Sequence, residues 1–349
     1  MTRTRTLLGT LAAAAATALL LTGCVAGEDA ASSASDPSGA AGSTHGGTLT
    51  IDYATYNPLS LVIKQEGWLE DALKKQDITV KWVQSTGSSQ ANQLLRSGSG
   101  DVASSAGSAA VLNRANGSPI KVVDVYSQPD WSAIVVGKNS NITSVAQLKG
   151  KKIAAQLGTD PYFFLLQALQ ANGLSADDVT IVNLAHADGW SALQNGSVDA
   201  WSGLDPIMAN AQVTAGAKII YDHPGFNSYG ALIATESFLK DEPDVAQTVV
   251  DAYEHARRWA EQHPDDTVKI LADVAQIDPA VAKTVITDRT NLEVSGVPGE
   301  AQLKVWKTIG PTFVKNGDVP SQDAVDTALD SIIDDSFAKK ADPEAIGGD

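Results

Sequence analysis

One cysteine, Cys24, stands in the 349 residues, so an internal disulfide and a cysteine-built metal cluster are both excluded. Basic residues are outnumbered, 25 Lys and Arg against 41 Asp and Glu, for a formal net charge of −16. Setting aside Arg3 and Arg5, which sit in what reads as a leader, leaves 23 against 41, or −18. Such a surface argues against nucleic acid and against a polybasic membrane patch. The longest apolar run, LLGTLAAAAATALLL at residues 7–21, is too poor in strong hydrophobes to be a stable membrane span. No GxGxxG and no GxxxxGK[ST] occurs, and the loops GTDP and SAGS lack the GxSxG nucleophile pattern. The five histidines, His45, His186, His223, His255 and His263, are scattered, and Pro264 ends the helix on which the last two could share a face. Neither a catalytic set nor a metal site is expected.

What is present begins with a basic start, the apolar run and LTGC, which together read as a secretory signal over residues 1–23. LTGC resembles the lipobox of bacterial lipoproteins, which implies lipidation of Cys24. VAGEDAASSASDPSGAAGSTHGG is small and polar and cannot bury enough surface to order itself, so residues 24–47 are expected to be a flexible tether. The remaining length suits two lobes better than one core.

From residue 48 short strands alternate with helices: TLTIDY, a helix from Leu59 to Lys75 interrupted near Gly67, ITVKWV, a helix near Gln90–Arg96, DVASS, a helix near Ala109–Asn116, and IKVVDVY. The alternation restarts at SAIVVGK and runs through KKIAAQ, a helix from Pro161 stopped at Gly173, VTIVNL, DGWSALQNG, SVDAWS, AKIIYD and GALIAT. After Glu236 the pattern is nearly all helical. Alternation of this kind predicts an α/β fold with mainly parallel sheets. The helical block is expected to pack back on the first unit, giving lobe 1 as residues 48–131 plus 231–340 and lobe 2 as residues 132–227. Crossings near Tyr126–Ser132 and Asp222–Gly230 then make a hinge and a closable cleft. The tail, residues 341–349, reads as loose.

In open parallel sheets ligands bind at the carboxyl ends of the strands. The strand-to-helix loops here are Thr55–Pro58, Ser85–Gln90, Ser105–Ser108, Gly158–Pro161 and Ser202–Pro206. They are rich in Ser, Thr and Gly, and none holds a Lys or Arg. An anion in such a place is held by hydroxyls, backbone N–H groups and helix dipoles, the dipoles contributing roughly 0.3–1 kcal/mol each at exposed sites. The same residues are ordinary helix caps and turn formers, and only their convergence on one cleft would separate the two roles. Trp131, at the first crossing, and Trp201, at the end of a strand, could pack on a ligand tail. Trp190 and Tyr53 read as core.

YATYNPLSLVIKQEG, DVASSAGSAAVLNRANG, ITSVAQLKGKKIAAQLGTDPYFFLLQALQANGL and GSVDAWSGLDP resemble the solute-binding proteins of ABC importers for aliphatic sulfonates, nitrate and taurine, over nearly all of residues 48–340. The resemblance implies a two-lobed, type II periplasmic-binding-protein-like clamp that closes on a small polar or anionic solute and docks on a permease with its ATPase subunits. By position it implies ligand contacts from Thr55, Tyr56, Asn57, Thr86, Gly87, Ser88, Ser105, Ala106, Gly107, Ser108, Thr159, Asp160, Pro161, Tyr162, Trp201, Ser202 and Asp205, to which the reading of the first crossing adds Trp131. No cofactor is expected. The chain is expected to be a monomer held outside the cell membrane by the lipid on Cys24. Asp160 departs from the family, many members of which carry a neutral residue there. It could cap its own helix and face away, or pair with an amine of a zwitterionic solute such as taurine. Asp205 is ambiguous in the same way. Leu204 stands where a second aromatic is common. The alternatives are a surface sensor that feeds a receptor and, on the same fold, an enzyme.

Overall fold

The computed structural model describes residues 47–347. The expected leader, Cys24 and the tether up to residue 46 lie outside the described residues.

The chain runs β1 (Gly47–Tyr53), α1 (Pro58–Glu66), α2 (Trp68–Lys74), β2 (Ile78–Gln84), α3 (Ser88–Arg96), β3 (Val102–Ala106), α4 (Gly107–Ala115) and β4 (Ile120–Pro129). It continues through β5 (Ser132–Val136), β6 (Lys152–Ala155), α5 (Asp160–Ala171), β7 (Thr180–Asn183), α6 (His186–Gln194), β8 (Ala200–Leu204), α7 (Ile207–Ala215) and β9 (Lys218–Tyr221). Then follow β10 (Gly230–Thr235), α8 (Glu236–Asp241), α9 (Pro243–Gln262), α10 (Pro264–Ala275), α11 (Pro279–Lys283), β11 (Thr290–Asn291), α12 (Glu300–Lys315) and α13 (Gln322–Ser331). A π-helical turn, Thr284–Arg289, leads into β11.

These strands make two sheets, β11-β4-β10-β3-β1-β2 and β7-β6-β8-β5-β9, flanked by helices in a two-lobed α/β clamp. The sheets are mixed rather than mainly parallel. In the first, β1 is parallel to β2 and β3, while β10 lies antiparallel to both β3 and β4. In the second, β6 is parallel to β7 and β8, while β5 is antiparallel to β8 and β9. The exceptions have one cause. β4 runs on into β5 through Asp130 and Trp131, and β9 returns to β10 with only the 3-10 turn Pro224–Phe226 between, so the chain crosses from sheet to sheet as a pair of opposed strands.

Local chemistry fixes the helix ends. Asn57 caps α1, accepting from Ser60 N at 3.4 Å, and Pro58 follows at the first helical position. Gly67, at φ 72°, ends α1 in the left-handed region and turns the chain into α2. The helix α5 is apolar all round, with Asp160 through Leu169 buried, because it lies between the two lobes rather than on a surface. Its Phe163 meets Phe313 of α12 at 4.7 Å, and one cluster of buried residues joins Phe163 and Phe164 to Ala110, Trp306 and Ile309. Each such side chain contributes roughly 1.5–3 kcal/mol on burial. The C-terminal helices pack on α1 and α4 of the first unit and also reach α5 and α7 of the second.

The tail differs from its expected looseness. Ile346 is 4 % exposed, Asp342 N donates to Asp251 Oδ1 at 2.9 Å, and the Pro343 carbonyl lies 2.8 Å from His255 Nδ1. The tail's one large apolar residue is buried against α9.

Candidate functional site

What the loop Gly158–Pro161 does is shown by what its side chains touch. Thr159 occupies the N-cap position of α5 but spends its hydroxyl on the Gln156 carbonyl at 2.6 Å. Asp160 neither caps its helix nor faces away. It is 1 % exposed, and all its acceptor positions are filled by neutral donors. Oδ1 accepts from Ser108 Oγ at 2.6 Å and Ser228 Oγ at 2.5 Å. Oδ2 accepts from Trp131 Nε1 at 2.8 Å and Ser228 N at 2.9 Å. Burial raises the Asp160 carboxyl above the usual 3.8, and these hydrogen bonds only partly pull it back.

This cluster joins four distant parts of the chain. Ser108 opens α4, Trp131 lies in one crossing, Ser228 in the other, and Asp160 opens α5. Tyr56 stands edge-on to Trp131 at 5.9 Å and gives its hydroxyl proton to the Ser104 carbonyl at 3.0 Å. Beyond Trp131, Asp205 faces a small cavity shared with Tyr56, Trp131, Val285 and Arg289. Arg289 Nη1 reaches both Asp205 oxygens, at 2.9 and 3.0 Å, and its other nitrogen bonds Gln212 Oε1. Asp205 also accepts from Ala209 N at 2.9 Å, inside α7. Burial pushes Asp205 up to about 6, with Arg289 pulling the other way. The strand-to-helix loops themselves carry no basic residue, yet a guanidinium stands at the edge of the site. It comes from the π-helical turn, 84 residues along the chain.

Several expected residues are occupied elsewhere. Asn57 is buried, giving its amide to Ser104 Oγ at 2.8 Å and Tyr253 Oη at 3.1 Å. Ser88 accepts from Ala106 N at 2.9 Å, and Ser105 accepts from Asn92 Nδ2 at 2.8 Å, so both tie β3 to α3. Gly107 allows Trp306 to come close enough to bond the Ser228 carbonyl at 2.9 Å. Ser202 bonds the Pro161 carbonyl at 2.6 Å, so it and Pro161 brace β8 to α5. Thr55 is half-buried. Thr86 is exposed and bonded to Gln90 of the helix that follows it. Tyr162 turns toward Asp318, at 3.4 Å. Trp201 is 1 % exposed in the core beneath the second sheet, beside Trp190 at 6.0 Å. Its indole packs into that core, on the opposite face of β8 from Ser202 and away from the cluster around Asp160. Trp190 and Tyr53, read as core, are only half-buried, Trp190 against that same core and Tyr53 beneath Lys64.

Sequence reasoning missed Ser228, Arg289 and His186. Ser228 lay within a crossing already located, and its place there was the available signal. His186, at the first position of α6, is 2 % exposed with neither ring nitrogen partnered among the described residues. Its Nε2 lies 2.9 Å from where a Cβ on Gly87 would stand, and Gln156 Oε1, also unpartnered, is 3.6 Å from that point. Burial pushes His186 down to about 4, so the ring is neutral at pH 7.

A family model described as NMT1/THI5 like matches residues 60–267, more than half of the chain. The chain belongs to the NMT1/THI5-like family. Among relatives of this NMT1/THI5-like chain, a Bacillus subtilis protein named for binding aliphatic sulfonates is 31 % identical over 298 residues, covering 83 % of this chain and 86 % of the relative. An Escherichia coli protein with the same name is 27 % identical over 245 residues, covering 70 % and 76 %. Among solved structures, the alkanesulfonate-binding protein SsuA from Xanthomonas axonopodis pv. citri, bound to MOPS, superposes with a TM-score of 0.73 at 26 % identity, covering 80 % of this chain and 97 % of that one. These relatives are binding proteins rather than enzymes, and solute binding is the role they support for the NMT1/THI5-like clamp.

Proposed function

We propose that this chain is the extracytoplasmic solute-binding component of an ABC importer, held at the membrane by a lipid on Cys24, and that it takes a small sulfonate-like or related polar solute between its lobes. The observation that carries the reading is the convergence of Ser108, Trp131, Ser228 and the start of α5, from both lobes and both crossings, on one dry cluster of neutral donors. Hydroxyl, indole and backbone N–H donors can hold an oxyanion without a counter-ion once water is excluded. The relatives named for aliphatic sulfonates supply the class of solute.

Calorimetric titration of the chain without its leader against alkanesulfonates, taurine, nitrate and a sulfate ester tests the reading. Saturable binding of at least one alkanesulfonate is expected. At ~100 times its dissociation constant it should stabilise the fold by about 2.7 kcal/mol. A protein that binds none of them, while growth on sulfonates is unchanged in cells lacking it, refutes the proposal.

A further inference from the structure

We infer that Asp160 is a built-in occupant of an oxyanion cradle: its carboxylate fills the site formed by Ser108, Trp131 and Ser228, and a free carboxylate or sulfonate gains those donors only by displacing it. The inference deepens the reading above and depends on it only for the identity of the solute.

The bonding leaves little freedom. Each serine hydroxyl has one proton, and both lie within 2.6 Å of Oδ1. With those protons given to the carboxylate, Ser228 Oγ accepts from Ser108 N at 2.9 Å, which sets both hydroxyls in place. The indole and the Ser228 N–H complete the other oxygen. The carboxylate therefore makes four hydrogen bonds and has no position left for an amine, so pairing with the ammonium of a zwitterion is disfavoured. Arg289, at the edge of the site, is engaged by Asp205. A charge held this way, by neutral donors from separate parts of the chain, is held as a free oxyanion would be. The donors belong to the first unit and the crossings, whereas the acceptor rides on α5 of the second. Withdrawing Asp160 empties the cradle, and its return refills the cradle with the chain's own carboxylate. Asp160 thus competes with the oxyanion of a solute, and it also draws the solute-free lobes together.

The test is to remove the occupant. Asp160→Ala leaves a gap the size of formate, and Asp160→Ser is a second uncharged variant. Thermal unfolding is followed in sodium formate and in sodium chloride at equal ionic strength. Both variants are expected to melt below wild type in chloride and to be raised saturably by formate, while wild type shows no such response. Adding Ser108→Ala to Asp160→Ala should abolish the formate effect. Methanesulfonate should bind Asp160→Ala at least tenfold more tightly than wild type. If formate neither raises the midpoint of the variants nor recovers one that fails to fold in chloride, the inference is overturned. A formate response with no sulfonate bound by either protein leaves the cradle standing and removes the sulfonate reading of the cleft.

Discussion

Replacing Arg289 with methionine tests the electrostatics at the edge of the site. The Arg289 side chain bridges the C-terminal block to the end of β8 through Asp205, which is 3 % exposed. It is also the cation near Asp130, whose carboxyl is pushed up to about 6 by burial and by Asp222, with Arg289 opposing. Removing one partner of a buried pair strands the other charge and costs ~3–5 kcal/mol. The sign with pH follows from Asp205, raised from 3.8 to about 6 even with its partner present. A carboxyl raised in the fold contributes stability that is full below pH 3.8 and is lost as pH rises through 6. The difference corresponds to about 3 kcal/mol. Without the guanidinium the carboxyl rises further, so at pH ~4.5 it is neutral and no charge is stranded. Urea unfolding followed by tryptophan fluorescence should show Arg289→Met losing ~3–5 kcal/mol at pH ~7.5 and less than half of that at pH ~4.5. Arg289→Lys should fall between, because an ammonium cannot reproduce the two-oxygen contact. Equal losses at the two pH values, or a loss below ~1 kcal/mol at the higher, would refute the reasoning.

His186 makes the opposite prediction. Its folded value of about 4 lies below 6.5, so stability falls as pH drops from 6.5 through 4, by about 3 kcal/mol, and His186→Gln should remove that part of the wild-type pH profile. Overlapping profiles for the two proteins would show that the ring is not held neutral. Gly107→Ala should destabilise by ~3 kcal/mol or more in chemical denaturation, because a Cβ would stand 2.1 Å from Trp306 Nε1 and 2.4 Å from the Ser228 carbonyl. Trp201→Ala should cost ~3–5 kcal/mol of stability yet leave solute affinity within about twofold, as measured by titration, since the indole belongs to the core. A large loss of affinity at unchanged stability would return Trp201 to the site.

The fold was legible because alternation of strands and helices is written locally, in period and in turn residues such as Asn57, Pro58, Gly67 and Gly173. The mixed sheets were not, because the direction of β10 depends on where the chain re-enters the first sheet, which no local pattern encodes. Within the site, Ser108 and Asp160 were named from their loops and Trp131 from its crossing, but that the three meet was not foreseen, nor was Ser228, 68 residues beyond Asp160, which supplies two of its four donors. Arg289 carried no signal at all, since nothing near Asp288 or Thr290 marks a residue that reaches across to Asp205. Trp201 was read as a possible ligand contact because it ends a strand before SGLDP, whereas its indole lies in the core of the second sheet, on the other face of β8 from Ser202.

The placement of β10 between β3 and β4 has a consequence for how the molecule is made. Gly230 pairs with Ala106, a partner emitted from the ribosome long before it, and after β4 the chain between them builds the other sheet. A nascent chain can therefore complete the sheet from β5 to β9 on its own, while the earlier strands wait with a gap one strand wide. The first sheet, by contrast, cannot be completed until β10 joins β3 to β4 and β11 adds its edge.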